Sequence, residues 1–399
     1  MQTVTTAIKN SMASSSWIRK MFEKGLELKR QFGEDAVCDF SLGNPDVPPP
    51  AAAAGALEEI ATKAVRPLGL GYCPNAGIPE VRQALARHLS RQQKTDVEAK
   101  DVVMTVGAAG GLVSFFRAVI DPGDEVVVPA PYFVEYGAYA GHFGGVLKAV
   151  PSIPPTFMPD VRAIASAVTP KTRAIILNSP NNPTGAIYDK DTIAKIASLV
   201  DEVNANRERP LFLLFDEPYR AFAYDGATVP PALPFTKFAC VAGSFSKTLS
   251  LAGERVGYFL IHPDMPDGAS LAAAVTLATR TLGFVNAPVI GQRLAAALVD
   301  ETVDLEIYLR RRNLMAKVLS DAGVEFEMPK GAFYFFAKSP VADDAEFVDA
   351  LLAENILAVP GRGFGFAGYV RLSCCVDEKI ISRSAEGFKR AVAKLKGAQ

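Results

Sequence analysis

The chain has 399 residues, more than one hydrophobic core usually supports, so we expect two domains. Hydrophobic residues make up 49% and charged residues 21%, and the formal net charge of -1 gives no indication of a nucleic-acid partner or an anionic membrane surface. The five cysteines include no Cys-x-x-Cys pair and the three histidines are scattered, which predicts reduced thiols in a cytoplasmic protein, no metal site and no histidine-dependent catalytic triad.

The N-terminal segment shows no apolar region typical of a secretory signal, and the longest apolar run, 102–116, is too short to span a membrane. After an N-terminal helix near 18–31, short apolar runs alternate with helical patterns. Seven runs are predicted strands: 102–105, 125–128, 146–150, 174–177, 211–215, 238–242 and 256–261. Predicted helices between them include 78–91, 111–120 and 190–206. Strands that are apolar throughout and separated by helices indicate an α/β fold with a mostly parallel seven-stranded sheet covered by helices.

The last hundred residues have a different pattern. Strands and helices are mixed there, with predicted elements at 305–322, 331–338, 344–354, 369–373 and from 378 onward. This mixture is typical of a smaller α+β domain, on which the N-terminal helix is expected to pack. The predicted division is therefore a large domain at 49–299 and a small domain formed by 1–48 and 300–399.

A lysine follows one of the predicted strands, in the segment Gly243-Ser-Phe-Ser-Lys247-Thr-Leu-Ser-Leu-Ala-Gly-Glu-Arg255. A lysine at a strand end can form an imine with an aldehyde if its surroundings keep part of it deprotonated. Ser244 and Arg255 flank it and suit a phosphate, because a guanidinium forks onto two oxygens. A single lysine in such a loop is much more often a surface residue, so the interpretation depends on the other strand ends.

Two of those strand ends carry polar residues. Asp216 follows the strand at 211–215, where a carboxylate can keep a heteroaromatic nitrogen protonated; a turn or helix-cap role is the alternative. The loop Asn178-Ser-Pro-Asn-Asn182-Pro-Thr-Gly185 follows the strand at 174–177. The Asn182 amide can donate to a ring hydroxyl there, and an ordinary turn-rich loop is the alternative.

Two further strand ends carry small or aromatic residues. Thr105-Val-Gly107-Ala108-Ala109-Gly110-Gly111 opens a helix, where backbone N–H groups can approach an anion. This segment lacks the Gly-x-Gly-x-x-Gly fingerprint of a dinucleotide fold and has no acidic residue at the expected distance, which argues against a nicotinamide dehydrogenase. Phe133 follows the strand at 125–128, and such a ring is more often part of a core than a platform for a ligand.

Together these segments resemble the class I and II aminotransferases of the aspartate aminotransferase superfamily, fold type I of the pyridoxal-phosphate enzymes. The resemblance covers nearly the whole chain, from Ser41-Leu-Gly43-Asn-Pro45 to Arg371-Leu-Ser373. It rests on the order and spacing of seven residues, which are Tyr72, Asn182, Asp216, Tyr219, Lys247, Arg255 and Arg371.

The resemblance implies pyridoxal 5'-phosphate as the cofactor and a role for each matching residue. The implied catalytic residues are Lys247, which carries the cofactor as a Schiff base, Asp216, the partner of the pyridinium nitrogen, and Tyr219. The other implied cofactor contacts are a second phenolic-oxygen donor, a stacked ring and the phosphate ligands, namely Asn182, Phe133, Ala108, Ala109, Ser244, Arg255 and Tyr72. Arg371 matches the arginine that binds the substrate α-carboxylate, with Gly43 and Asn182 beside it. Ala109 and Phe133 depart from the family pattern, which more often has a hydroxyl residue and a Tyr or Trp at these positions.

The resemblance also implies a homodimer with composite active sites, because Tyr72 matches a tyrosine that reaches the neighbouring subunit's phosphate. The implied substrates are an L-amino acid and a 2-oxo acid, with glutamate and 2-oxoglutarate as one pair and aspartate as a possible second donor. Another enzyme on the same scaffold, such as a C–S β-lyase, a decarboxylase or a cyclopropane-forming synthase, is the alternative. A pyridoxal-phosphate-sensing regulator is a further one, although the chain lacks a basic DNA-binding module.

Two regions are candidates for selecting the substrate side chain. Trp17 and Ile18 would form an apolar lid, or else simply begin an amphipathic helix packed on the small domain. Arg280 is the cation nearest to the position at which related enzymes hold a distal carboxylate, and a solvated helix residue is its alternative role. The sequence alone leaves both choices open.

Overall fold

The computed structural model describes residues 3–6, 8–9 and 17–397, except for the side chains of Ile18 and Arg19. Its helices, numbered from Trp17, are α1 (Trp17–Phe32), α2 (Ala53–Ala64), α3 (Pro79–Gln93), α4 (Gly107–Val119), α5 (Glu135–Gly141), α6 (Val161–Ala167), α7 (Lys190–Asn204), α8 (Phe245–Thr248), α9 (Gly268–Thr281), α10 (Val289–Ala297), α11 (Leu305–Asp321), α12 (Asp344–Leu352) and α13 (Glu378–Gly397). Its strands are β1 (Cys38–Asp39), β2 (Val102–Thr105), β3 (Glu125–Ala130), β4 (Val146–Ile153), β5 (Met158–Pro159), β6 (Thr172–Asn178), β7 (Phe212–Asp216), β8 (Ala239–Ser244), β9 (Gly257–Ile261), β10 (Tyr334–Lys338), β11 (Ile356–Leu357), β12 (Val359–Pro360) and β13 (Tyr369–Ser373).

The chain forms two compact units. The large unit consists of Pro45–Glu306 and Lys330–Ala332, and the small unit consists of Ile307–Pro329, Phe333–Gln399 and Met1–Asn44, as far as these are described. Residues 45–48 and 300–306, which the sequence-based division gave to the small domain, thus lie in the large unit. So does the tripeptide Lys330–Ala332, although the residues on both sides of it belong to the small unit.

The large unit contains an eight-stranded sheet with the order β2-β9-β8-β7-β6-β3-β4-β5. Strands β4, β3, β6, β7 and β8 run parallel to their neighbours in this series, whereas β2, β9 and β5 pair in antiparallel fashion. The predicted mixed α/β fold with a mostly parallel sheet is confirmed. The sheet has eight strands rather than seven because the two-residue strand β5 pairs with the outer end of β4, and a segment this short has no readable pattern.

Alternate residues of the central strands pack on opposite faces of this sheet. In β6, Ile175 and Leu177 join one hydrophobic cluster, and Ala174 and Ile176 join the other. Helices α3, α7 and α10 contribute to the first cluster, and α4 and α9 contribute to the second. Both faces are therefore covered, and each large aliphatic side chain buried there contributes about 1.5–3 kcal/mol of transfer free energy. This two-sided burial is why the strands are apolar throughout.

The ends of three neighbouring strands line up at one edge of the sheet. Asn178, the last residue of β6, lies opposite Asp216, the last residue of β7. Asp216 in turn lies opposite Ala242 in β8, two residues before that strand ends. The chain segments that follow these three strands therefore leave the sheet side by side, at its carboxyl edge.

The small unit contains a three-stranded antiparallel sheet with the order β10-β13-β12 and a short parallel pairing of β1 with β11. In its register, Phe336 and Val359 lie opposite Arg371 on the central strand. Helix α1 packs on this unit, where Gly25 lies against the side chains of Leu357 and Asp39. Within the part of the chain that the structure describes, no helix is long and apolar enough to cross a membrane.

Candidate active site

Lys247 lies in the short helix α8, which begins directly after strand β8. Ser244 ends the strand and caps the helix: its hydroxyl accepts a hydrogen bond from the Ser246 backbone N–H at 3.1 Å and donates one to the Ser246 hydroxyl at 2.9 Å. Such a cap stabilises the first turn of a helix. It therefore holds the partly buried Lys247 just beyond the carboxyl edge of the sheet.

The start of helix α4 lies against the ends of β8 and β9. A Cβ atom on Gly257 would lie 2.9 Å from the Ala108 backbone nitrogen and 2.5 Å from the Gly243 carbonyl oxygen, so this approach requires glycine. Arg255 reaches the same place, because a Cβ atom on Gly107 would lie 2.9 Å from its guanidinium Nη2. The N-terminus of a 13-residue helix and an arginine thus meet next to β8, an arrangement suited to a phosphate group.

Asp216 is the buried carboxylate of the site. Its Oδ2 accepts a hydrogen bond from the Tyr136 hydroxyl at 2.5 Å and a longer one from the Asn178 amide at 3.4 Å. Its Oδ1 is also buried, but it has no hydrogen-bond partner among the residues that the structure describes. Burial raises the pKa of Asp216 to about 7. A buried acceptor without a donor typically costs about 1–3 kcal/mol, so a positively charged N–H donor from a bound molecule would fit this position.

Tyr136, the hydrogen-bond partner of Asp216, was not identifiable from the sequence. Tyr136 is completely buried in helix α5, and its ring meets the ring of Phe133 edge-on with centroids 5.5 Å apart. Burial and the Asp216 carboxylate raise the pKa of the Tyr136 hydroxyl, which therefore stays protonated and donates. The only local signal was an aromatic residue three positions after Phe133, a spacing that is common in ordinary cores.

Asn178 is the second residue of the site that sequence reasoning missed. Its amide nitrogen donates to the Asp216 backbone carbonyl at 2.9 Å, and its Oδ1 accepts from the Asn182 backbone N–H at 2.7 Å. One side chain thus ties the loop that carries Asn182 to the strand end that carries Asp216. Tyr219 is also buried, and electrostatic interaction with it contributes to the raised pKa of the Tyr136 hydroxyl.

The small unit holds Arg371, whose side chain is only 2% exposed. The Cζ atom of its guanidinium lies 4.8 Å from the ring centroids of both Tyr334 and Phe364. Its Nη2 donates to the backbone carbonyl of Ser41. Two aromatic rings and a backbone carbonyl therefore hold the planar cation in one orientation, as recognition of a carboxylate by both oxygens requires.

The segment at residues 39–43 supports this arginine. The Asp39 carboxylate accepts hydrogen bonds from the Ser41 backbone at 3.1 Å and the Ser41 hydroxyl at 2.6 Å, and it pairs with Lys29 at 3.0 Å. The backbone of Gly43 lies so close to Tyr334 that an added Cβ atom would come within 2.7 Å of the ring. Tyr334 and Phe364 were not singled out from the sequence, in which they resemble many other aromatic core residues.

The structure also describes three further residues that were singled out from the sequence. Tyr72 belongs to the large unit and is 92% exposed. Arg280 is exposed in the last turn of α9 and lines a cleft with Arg82 and Lys100. Trp17 begins α1 and packs against Gly363 in the small unit. The Ile18 side chain, the other half of the predicted lid, lies outside the described part of the chain.

The fold and these residues define an α/β protein with a polar site at the carboxyl edge of its large sheet. Comparison with known proteins identifies the family. The family model for aminotransferase class I and II matches residues 35–388. The aspartate/prephenate aminotransferase of Thermus thermophilus is 33% identical over 380 residues, which cover 93% of this chain and 94% of the relative. Aromatic-amino-acid aminotransferase 2 of Thermococcus litoralis is 30% identical and covers 96% and 97% of the two chains.

Solved structures agree with this result. An aminotransferase from Eubacterium rectale superimposes with a TM-score of 0.94 at 36% identity, covering 99% of both chains. The Thermus thermophilus aspartate aminotransferase with maleate superimposes with a TM-score of 0.85 at 28% identity, covering 98% of this chain and all of the other. The chain therefore belongs to the class I and II aminotransferase family, and the predicted enzyme class is confirmed.

Proposed function

We propose that this aminotransferase uses pyridoxal 5'-phosphate to move an amino group between an L-amino acid and a 2-oxo acid. The observation that carries the proposal is the Oδ1 atom of Asp216, buried and without a donor among the described residues. It lies at the end of β7, next to the strand that leads to Lys247. A protonated pyridine nitrogen is a charged donor of the kind that this oxygen lacks, and the lysine amine is a partner for the cofactor's aldehyde.

The remaining residues of the large unit suit the other parts of the same cofactor. The phosphate would be bound by Ser244, Arg255 and the backbone N–H groups of Ala108 and Ala109, which approach one another at the start of α4. Asn182 and Tyr219 would donate to the phenolic oxygen, and both are buried. Phe133, supported by Tyr136, would stack on the ring.

The chain's residues then have distinct tasks in the reaction. When bound, the cofactor serves as the electron sink for charge that develops at the substrate α-carbon. Asp216 keeps the ring nitrogen protonated, and Tyr136 and Asn178 hold its other oxygen in place. The Lys247 amine moves the proton at the α-carbon, a task that typically contributes about 10²–10⁴-fold to the rate. Arg371 would bind the α-carboxylate with its oriented guanidinium, and Gly43 and Asn182 are the other proposed substrate-binding residues.

For the substrates we propose glutamate and 2-oxoglutarate as one pair, with aspartate as a possible second donor. The named relatives support dicarboxylates, because one of them is an aspartate/prephenate aminotransferase and a similar structure was solved with maleate, itself a dicarboxylate. The Thermococcus relative, which acts on aromatic amino acids, supports a pocket that also accepts apolar side chains. The five free cysteines in the structure support a cytoplasmic location.

A panel of amino acids, each tested with 2-oxoglutarate on the purified enzyme, tests this proposal. We expect transfer of the amino group, with glutamate as the product, from aspartate or an aromatic donor. Release of pyruvate from a cysteine conjugate or of CO₂ without amino transfer would instead indicate one of the other reactions of the scaffold. No transfer from any donor would contradict the choice of 2-oxoglutarate as acceptor.

The role of Arg280 is tested in the same assay. If Arg280 binds a distal carboxylate, Arg280→Ala raises the KM for glutamate and aspartate by about tenfold and leaves neutral amino acids unchanged. Arg162→Ala is the matched control, because Arg162 is an exposed arginine on another helix of the large unit. Equal changes for acidic and neutral substrates would show that Arg280 does not select the side chain.

We further propose that two copies of the chain form a dimer in which Tyr72 completes the partner's phosphate site. Tyr72 follows three exposed apolar residues: Val65 at 86%, Leu68 at 89% and Leu70 at 56% exposure. Several large apolar side chains this exposed within one short segment are typical of an interaction surface. A second copy is the occupant we propose, because the phosphate contact assigned to Tyr72 requires another subunit's site.

Hybrid dimers test this assignment. Co-expression of Tyr72→Phe and Lys247→Ala chains should restore activity, because one of the two sites then has both Lys247 and a Tyr72 from its partner. The control combines Asp216→Asn with Lys247→Ala. Asp216 ends β7 and Lys247 closely follows the neighbouring strand β8, so both belong to the site of one chain, no unaltered site can form and activity should stay low. No recovery with the Tyr72→Phe pair, or an active monomer, would contradict the proposal.

A further inference from the structure

The tripeptide Lys330–Ala332 has no role in the site described so far. Its neighbours on both sides belong to the small unit, yet the tripeptide itself is part of the large unit. It pairs with Ala223 through an isolated antiparallel β-bridge at Gly331. Gly331 and Ala332 are both buried.

One side of the tripeptide contacts the loop that carries Asn182. The Gly331 backbone N–H donates to the carbonyl of Gly185, the last residue of that loop, at 2.9 Å. A Cβ atom on Gly331 would lie 2.7 Å from the Cβ of Pro180. The loop is closed on itself by a hydrogen bond of 2.8 Å from the Gly185 N–H to the Asn181 carbonyl, so contacts at Pro180 and Gly185 act on Asn182 between them.

The other side contacts the turn that begins at Tyr219. The Ala332 N–H donates to the Phe222 carbonyl at 3.0 Å, and the Phe222 N–H donates to the Tyr219 carbonyl at 2.8 Å. Tyr224, which is 4% exposed, binds the tripeptide at both ends. Its backbone N–H donates to the Lys330 carbonyl at 2.9 Å, and its hydroxyl donates to the Ala332 carbonyl at 2.6 Å.

We propose that Lys330–Ala332 positions the two phenolic-oxygen donors, Asn182 and Tyr219, relative to each other, and that Tyr224 is the residue that holds it there. The inference rests on the proposed cofactor. The two donors belong to separate segments, and the tripeptide forms backbone hydrogen bonds to both. Hydrogen bonds weaken strongly when donor and acceptor are slightly displaced. A tripeptide held less firmly would therefore weaken the hydrogen bonds that Asn182 and Tyr219 donate, although both side chains remain.

The test uses Tyr224→Phe in the holoenzyme, which removes one hydroxyl and keeps the ring. The measured quantity is the pH midpoint of the visible absorbance of the lysine-bound cofactor without substrate. Donors to the phenolic oxygen stabilise its negative charge. They therefore favour loss of the proton from the neighbouring imine nitrogen that Lys247 contributes. We expect the midpoint to rise by about half a pH unit or more and the cofactor Kd to rise about threefold, as for loss of about one hydrogen bond.

Gly331→Ala provides an independent variant, because its added Cβ would come within 2.7 Å of the Phe222 carbonyl oxygen and displace the tripeptide. It should shift the midpoint in the same direction. Tyr308→Phe, at a buried tyrosine of the small unit, and Gly55→Ala, at a helical glycine with open space around it, are the matched controls and should not shift it. These controls separate a positioning effect from a general loss of stability.

The outcomes are distinguishable. A wild-type enzyme without any visible band from a lysine-bound cofactor would contradict the proposed cofactor. A normal band with unchanged midpoints in Tyr224→Phe and Gly331→Ala would overturn the role of the tripeptide alone. If Tyr224→Phe does not fold, Gly331→Ala decides the question.

Discussion

The large-unit group around Asp216 and the small-unit group around Arg371 are built in opposite ways. Asp216 is a buried carboxylate at a strand end, hydrogen-bonded on one oxygen by Tyr136 and Asn178. Arg371 is a buried cation in the middle of a strand, held between the rings of Tyr334 and Phe364. The first group is suited to a positive charge on a ligand, and the second is suited to a negative one.

The difference shows two ways of obtaining an oriented polar group in a protein interior. In the large unit the parallel sheet determines where the polar groups lie. Neighbouring strands place Asn178 and Asp216 at the same edge, whatever the loops contain. In the small unit no such rule applies, and the arginine is oriented by aromatic side chains of two other segments, Tyr334 in β10 and Phe364 just before β13. Substitutions in the two groups should therefore impair the enzyme in different ways.

The largest effect is expected for Lys247→Ala, which removes the proposed covalent partner of the cofactor from the large unit. We expect the lysine-bound visible absorbance to disappear and the transamination rate to fall by at least about 10³-fold, because both the covalent link and the proton transfer are lost. Borohydride treatment followed by mass measurement checks the covalent link. Lys171→Ala, at an exposed lysine of the same unit, is the control. Equal covalent labelling of Lys247→Ala and wild type would refute the assignment.

A smaller loss, about 10²-fold in kcat/KM, is expected for Arg371→Lys in the small unit. The charge remains, but the planar fork that packs between two rings, and that we propose binds two carboxylate oxygens, is lost. The loss should be similar for every amino acid, and the cofactor absorbance should not change. Arg310→Lys is the control, because Arg310 is exposed and pairs with Glu378. A loss limited to one class of substrate would contradict a shared α-carboxylate role.

The smallest effect is expected for Tyr136→Phe, and it should depend on pH. Burial raises the Asp216 pKa to about 7, so the folded cofactor-free chain binds a proton more tightly than the unfolded chain does. The stability that this group contributes is present below its unfolded pKa and is lost as pH rises towards 7. The Tyr136 hydroxyl donates to the carboxylate and thereby lowers the Asp216 pKa. Without this hydroxyl the Asp216 pKa rises further, and the stability lost at high pH is larger.

Urea denaturation of the cofactor-free protein at pH 5 and pH 8 measures this effect. Tyr136→Phe should be destabilised more at pH 8 than at pH 5, by about 1–2 kcal/mol, because only the charged carboxylate needs the lost donor. Tyr188→Phe is the control, since the Tyr188 hydroxyl accepts a hydrogen bond from Asn181 rather than donating to a carboxylate. Equal destabilisation of Tyr136→Phe at both pH values would show that Asp216 is not its functional partner.

The predicted elements agree with the structure where burial leaves a clear pattern. Strand 102–105 has the predicted bounds, and helix 190–206 ends two residues earlier than predicted. The strands were readable because both faces of the sheet are covered, so that every position must be apolar. The two-residue strand Met158–Pro159 was missed because its pairing depends on β4 rather than on its own residues.

By itself, the sequence determined the α/β fold, the family and the candidate residues Lys247, Asp216 and Asn182. It could do so because Asp216 ends a strand and Lys247 and Asn182 lie shortly after one. Each stands in a segment whose residue order matches the family. Only the tertiary structure decided that Tyr136 and Asn178 hold Asp216, that Tyr334 and Phe364 enclose Arg371, and that Tyr224 anchors a tripeptide more than a hundred residues away. The physical reason is that aromatic residues and asparagines have the same local patterns in cores and turns as in sites, and only long-range packing assigns them their partners.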